Sequence, residues 1–119
     1  MKELIKEVSA KECYPVRHAI LRKGRPLSSC AFEDDQNENC FHLGLFVQNQ
    51  IVGIASFIPR AFPEQKTTKP TFQLRGMAVL EAYQERGFGA HILKHGTALL
   101  KERGVHMLWI NARIGAIAF

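Results

Sequence analysis

Between an apolar run that ends at Leu80 and an amphipathic run that reaches Arg103 stand Gln84, Glu85, Arg86, Gly87, Phe88, Gly89 and Ala90, and these residues could hold an anion. Glycine at 87 and 89 lets the backbone approach a ligand closely. The first-turn amides of a helix that starts there have no partner within the helix and sit at the positive end of its macrodipole. Such a turn suits a pyrophosphate. Two other phosphate loops do not fit. The chain has no Gly-Lys-Ser/Thr tripeptide to set a lysine on phosphate and a hydroxyl on magnesium, and a dinucleotide fingerprint would need Gly or Ala at 92, where Ile92 stands. The plainer alternative is a pair of glycines that only permits a tight strand-to-helix turn.

The flanking patterns supply the elements that would position this turn. Apolar or small residues at Gly89, Ile92, Leu93, Gly96, Leu99 and Leu100, with His91, Lys94, His95, Lys101 and Glu102 opposite them, predict a helix that Gly104 stops. Residues 73–80 hold Leu74, Met77, Val79 and Leu80 with little polar alternation at the end, as in a strand buried on both faces. His106, Met107, Leu108, Trp109 and Ile110 form a second apolar run. Strand, helix and strand at this spacing make a right-handed βαβ unit with parallel strands.

Gln84-Glu85-Arg86-Gly87-Phe88-Gly89 resembles the main motif of the GNAT superfamily, the acyl-CoA-dependent N-acyltransferases: Gln or Arg, two residues, Gly, one residue, then Gly or Ala. Leu74-Arg75-Gly76-Met77-Ala78-Val79 looks like that family's central strand, and Trp109-Ile110-Asn111-Ala112-Arg113 like the strand that splays from it. The resemblance implies that acetyl-CoA is the acyl donor. It implies that the amides of Gln84, Glu85, Arg86, Gly87, Phe88, Gly89 and Ala90 take the coenzyme A pyrophosphate. Met77, Ala78 and Val79 would then lie along the pantetheine, with the backbone of Met77 and Val79 polarising the acyl carbonyl. Asn111 either bridges the gap between strands or bonds the pantetheine, or simply ends a strand.

The first half of the chain reads more coarsely. Residues 4–8 suit an edge strand, and Ser9-Ala10-Lys11-Glu12 has the capping-box form of a helix start. That helix should reach about Arg22, with a late start or a kink on account of Pro15. Residues 26–39 read as a loop, whose Glu33, Asp34 and Asp35 either attract a cationic acceptor or are simply solvated. Residues 41–47 and 51–58 form a hairpin through Gln48-Asn49-Gln50, and 59–70 a second loop with three prolines. Together these predict an α/β fold: a mixed, mostly antiparallel twisted sheet with a central βαβ unit and helices on both faces. Residues 16–24 look like those of small bacterial members of the family, in which this helix and loop wall the acceptor site.

Composition narrows the class. At 119 residues the chain makes one domain, and its net charge of +5 suits an anionic ligand without identifying one. Basic residues are scattered rather than interleaved with aromatics, so nucleic acid is not an expected partner. No stretch approaches the length of a membrane span and the N-terminus lacks a signal-peptide core, so the expected location is the cytoplasm, away from membranes. Cys13, Cys30 and Cys40 are too few and too widely spaced for a disulfide framework or zinc pairs. Cys40 and His42 alone are too sparse for a metal and read as a half-buried pair beside the core; no metal is expected. His91 and His95 read as facing solvent.

Acyl transfer to an amine requires an aligned acceptor, removal of its proton, a polarised carbonyl and protonation of the leaving thiolate. His42 is the candidate base, since an imidazole near neutrality can accept an ammonium proton; the alternative is a structural histidine. The family pattern continues past Phe119 into a Tyr that commonly serves as thiolate acid, a short helix and two more strands. The chain is therefore expected to be C-terminally incomplete, with the strand at 106–111 left as an open edge through which a second copy could pair. Two functions fit: an N-acetyltransferase acting on a primary amine of a small molecule or protein, or a catalytically impaired acyl-CoA-binding or interaction domain.

Overall fold

The computed structural model describes residues 2–63, 68–111 and 115–119, and of Asn111 and residues 115–118 it describes the backbone path alone. Six strands form a single sheet in sequence order: β1 (Glu3–Val8), β2 (Phe41–Val47), β3 (Gln50–Pro59), β4 (Thr71–Val79), β5 (Met107–Asn111) and β6 (Gly115–Ala118). All neighbours are antiparallel except β4 and β5, which the helix α2 (Phe88–Glu102) joins as the expected parallel βαβ unit. The β2–β3 hairpin closes through two residues, Gln48 and Asn49, both with positive φ (52° and 66°). That is the conformation whose twist suits a two-residue connection.

Helices cover both faces. α2 buries a stripe of Phe88, Ile92, Gly96 and Leu100, four residues apart, against Leu43, Leu45, Val52, Phe57 and Leu74. Side chains tie both ends of α2 to β1, His91 hydrogen-bonding Glu3 and Arg103 pairing with Glu7; His91, expected to face solvent, is exposed yet engaged. On the other face α1 (Ala10–Val16) sets Cys13 and Val16 over Ile54 and Ala78. Burial pushes the Cys13 thiol up to about 11, which keeps it protonated and inert.

Three expectations need correction. Pro15 does not delay α1: the helix begins at Ala10, where Ser9 and Glu12 complete the capping box, and contains Pro15. Instead the turn after it widens into a π-helical segment, Arg17–Leu21, closed by Arg22 N–H to the Arg17 carbonyl at 2.9 Å. A proline nitrogen has no proton to give, so the helix forgoes the bond to the Lys11 carbonyl four residues back. Second, the acidic loop is not simply solvated; it forms two 3₁₀ turns, Leu27–Cys30 and Glu33–Gln36, and its carboxylates fold onto the sheet. Third, β5 is not an open edge, because β6 turns back along it with Trp109 opposite Ala116. The sheet edge that pairing with a second copy would need on β5 is thus occupied. Part of the predicted 59–70 loop, residues 64–67, and the segment Ala112-Arg113 lie outside the described residues.

Candidate active site

Gly87 caps α2 at φ 79°, a left-handed conformation that favours glycine, and Glu85 two residues earlier also has positive φ (63°). No side chain caps this helix, so its first amides keep no internal partner. A Cβ at Gly87 would meet only His91 Nε2, at 3.9 Å, and one at Gly89 only Met77 Cε, at 3.7 Å, both ordinary contacts. The space above the turn is therefore a cradle that side chains would fill but the protein leaves open. Gln84 anchors the turn to the strand before it by donating Nε2 to the Val79 carbonyl at 2.9 Å.

The same strand opens toward the turn. β4 pairs with β5 only at Thr71, Phe72 and Gln73, opposite Met107, Leu108 and Trp109, and then runs on to Val79 while β5 diverges. Gln73 closes the base of this notch by donating Nε2 to the Ile110 carbonyl at 3.1 Å. A bulge follows: Arg75 faces Ser56 and Ala78 faces Ile54, with Gly76 between them at φ 61°. Leu80 N–H goes to the Val52 carbonyl of β3 at 2.8 Å. By the two-residue period of a strand, the N–H of Val79 turns away from β3 into the notch, whereas Met77 lies in the bulge, where that period is interrupted. Met77, Ala78 and Val79 and the turn residues 84–90 thus lie along one continuous path; Asn111 has its side chain outside the described residues.

Beneath the notch, on the α1 face, lies a polar layer that sequence reasoning did not find. Arg17 is fully buried and donates to the Cys30 carbonyl, to both oxygens of Asp35 and to Ser56 Oγ, at 2.7 to 3.1 Å, while its Nε has no partner. Burial works to raise the Asp35 carboxyl, but the hydrogen bonds from Arg17 and the Phe32 amide outweigh it and hold the group below its ordinary value. His42, expected half-buried, is 5% exposed, and its Nδ1 lies 2.7 Å from Ser56 Oγ. Arg17 donates to that oxygen as well, so the hydroxyl keeps its own proton free to give to Nδ1, and in that arrangement the neutral imidazole carries its proton on Nε2. Burial, with Arg17 nearby, lowers the His42 pKa against the opposing pull of Asp35. Cys40 Sγ lies 3.8 Å from Nε2, and burial together with Asp35 raises its thiol.

Asp34 forms a second clasp, Oδ1 to Arg60 at 2.6 Å and Oδ2 to Arg75 at 2.8 Å. Arg60 also donates to Gln73 Oε1 at 3.2 Å, and Trp109, tilted against Phe62 with ring centroids 5.4 Å apart, donates to the Arg60 carbonyl at 3.0 Å. The signal that could have revealed Arg17 is its place among Cys13, Val16 and Ile20, an arginine on an apolar stripe. Among the described residues no His, Cys, Asp and Glu gather in a group that could hold a metal, and no helix is long and apolar enough to cross a membrane.

A cleft of about 580 Å³ lined by Glu7, Glu38, Cys40, Thr71 and Arg103 lies at the opposite end of β4, beside the C-terminal end of α2. Carboxylates and the negative helix end make it a poor seat for a pyrophosphate, so the chemistry favours the turn at Gly87 over this cleft.

Comparison with known proteins agrees with this geometry. The family model described as Acetyltransferase (GNAT) family matches residues 7–119. The chain is 38% identical over 109 residues to the uncharacterized N-acetyltransferase YitI of Bacillus subtilis (strain 168), covering 92% of this chain and 72% of that protein. It is 34% identical over 88 residues to the [ribosomal protein bS18]-alanine N-acetyltransferase of Haemophilus influenzae, covering 74% of this chain and 55% of that protein. A GNAT family acetyltransferase from Brucella melitensis, solved in complex with acetyl-CoA, shares the fold with a TM-score of 0.70 at 19% identity, over 99% of this chain and 88% of that one.

Proposed function

The chain belongs to the acetyltransferase (GNAT) family, acyl-CoA-dependent enzymes, and from that premise we propose that it transfers an acetyl group from acetyl-CoA to a primary amine. The observation that carries this reading is the notch: β4 leaves β5 after Gln73 and ends, six residues on, beside the uncapped helix start. The turn amides around Gly87 and Gly89 receive the pyrophosphate, and the N–H of Val79 faces the acyl carbonyl. The thioester supplies an acyl carbon already activated toward a nitrogen nucleophile; nitrogen bonds to it, the carbon–sulfur bond breaks, and the thiolate takes up a proton. For His42 the geometry supports a relayed part rather than a direct one. Its Nδ1 lies 2.7 Å from Ser56 Oγ, so a proton taken up at that nitrogen would come through the hydroxyl, which would pass its own proton inward and accept one from the acceptor.

That occupied nitrogen also gives weight to a second reading, acyl-CoA binding without turnover. Calorimetric titration with acetyl-CoA, on the protein and on a Gly87→Glu/Gly89→Glu variant, tests the shared premise. Micromolar binding that the variant loses supports it, and absence of binding by the folded parent protein overturns it. Thiol release with an amine panel then separates the two, turnover favouring the first.

A further inference from the structure

The base of the notch carries more positive charge than an ordinary amine acceptor needs. Arg75 is the first residue of β4 beyond the parallel pairing that turns its side chain to the α1 face, where it meets Asp34 and Phe32. Gln73, just below, joins Arg60 to the Ile110 carbonyl of β5. Trp109 and Phe62 form an aromatic wall on the other side. Four guanidiniums, those of Arg17, Arg22, Arg60 and Arg75, crowd this corner, three of them within 3.9 to 5.9 Å of the Phe32 ring centroid. Against them stand, among the described residues, two carboxylates, and both are committed: Asp35 to Arg17 and the Phe32 amide, Asp34 to Arg60 and Arg75. With exposed Glu33 counted the sum over the described residues is still positive, which does not favour a purely cationic ligand.

Arg60 and Arg75 nevertheless keep 41% and 39% of their side chains exposed, whereas the carboxylate they share keeps 18%. Each guanidinium has donors beyond the one spent on Asp34, and a planar fork is the group suited to a carboxylate. We propose that the acceptor is an amine that also carries a carboxylate, bound by Arg75 and Arg60 at the foot of the notch, with its amino group directed up β4 toward Met77 and Val79. This rests on the acetyl-transfer reading and names the substrate class for it. An aliphatic linker would run past the half-buried Phe62, which rests against Trp109, and a polycationic amine is disfavoured by charge.

The test uses matched sets at several chain lengths, such as γ-aminobutyrate, its amide, and putrescine, titrated calorimetrically into the protein saturated with coenzyme A and assayed for thiol release with acetyl-CoA. The carboxylate member of a set should bind roughly tenfold more tightly than its amide, and the diamine most weakly. Arg75→Gln should raise KM for the carboxylate member far more than for its amide, with kcat little changed, and Arg75→Lys should restore part of the loss. Asp34→Asn, which frees both arginines, should lower KM for the carboxylate member, an effect a merely structural role would not produce. Preference for the amide or the diamine, or a carboxylate preference that survives Arg75→Gln with Arg60→Gln, overturns the proposal. Failure of coenzyme A itself to bind is a separate result: it overturns the acetyl-transfer reading, and titration of the coenzyme-free protein still ranks the acceptors.

Discussion

Arg17 and Asp35, eighteen residues apart in the chain, meet through two parallel hydrogen bonds, Nη1 to Oδ2 at 2.7 Å and Nη2 to Oδ1 at 2.9 Å, with no part of Arg17 exposed. The pair ties the π-helical turn to the 26–40 loop, and Ser56 extends it to β3. Removing the carboxylate leaves a buried cation without its counter-charge. Asp35→Ala should therefore lose about 3–5 kcal/mol in urea unfolding, whereas Arg17→Met with Asp35→Leu should recover most of it, since desolvation offsets much of the attraction in a buried pair. A single-variant loss below about 1 kcal/mol would place the pair with weak surface contacts instead.

The same network sets a pH dependence. His42 has a pKa below its ordinary 6.5 in the folded protein, so below 6.5 the unfolded chain binds a proton that the folded one refuses. Stability should fall as pH drops from 6.5 through the folded value, and fall again below 3.8 as Asp35, whose pKa is also depressed, becomes protonated. Chemical denaturation at stepped pH should show the first slope in the parent and a flatter one in His42→Gln, whose amide oxygen can still accept from Ser56. An unchanged slope in that variant would mean another group is responsible.

Periodicity made the βαβ unit and the glycine turn legible, because α2 and its flanking strands bury regular stripes such as Phe88, Ile92, Gly96 and Leu100. The capping box at Ser9 was legible for the same local reason. What escaped depends on pairs distant in sequence. Nothing in the spacing of Asp34 and Asp35 shows that Arg60 and Arg75 neutralise one and Arg17 the other. Nor does an isolated arginine in a short amphipathic segment declare itself buried. The bulge at Gly76, which gives Phe32 room 3.1 Å from where a Cβ would sit, is likewise a consequence of packing rather than pattern.

Gly96 sits where α2 crosses β3, and a Cβ there would lie 2.2 to 2.9 Å from three atoms of the Phe57 ring. That ring is fully buried and stacked on Phe41 with centroids 4.8 Å apart, so it has little room to move. Helix propensity alone would favour alanine by about 1 kcal/mol. The overlap should reverse the sign: Gly96→Ala is expected to destabilise the fold by about 1–3 kcal/mol, and Phe57→Leu in the same chain should relieve part of it relative to the sum of the single variants. Thermal unfolding of the four proteins checks this, and a stabilising Gly96→Ala would show that the ring shifts freely.

Gly87 and Gly89 should separate fold from ligand. Gly87 needs its positive φ, so Gly87→Ala should cost roughly 1–2 kcal/mol of stability whatever binds there. Gly89 lies in the helix, and an added methyl would touch Met77 Cε at 3.7 Å, so Gly89→Ala should leave the melting temperature unchanged or slightly raised. The motif that this turn resembles accepts alanine at the same place, so a methyl leaves room for the ligand and only a larger, charged group would exclude it. Acetyl-CoA binding should therefore survive in Gly89→Ala and weaken at least tenfold, about 1.4 kcal/mol, in Gly89→Glu. Equal affinity in Gly89→Glu and the parent would move the pyrophosphate away from this turn, and a loss of stability in Gly89→Ala would make the glycine a packing residue.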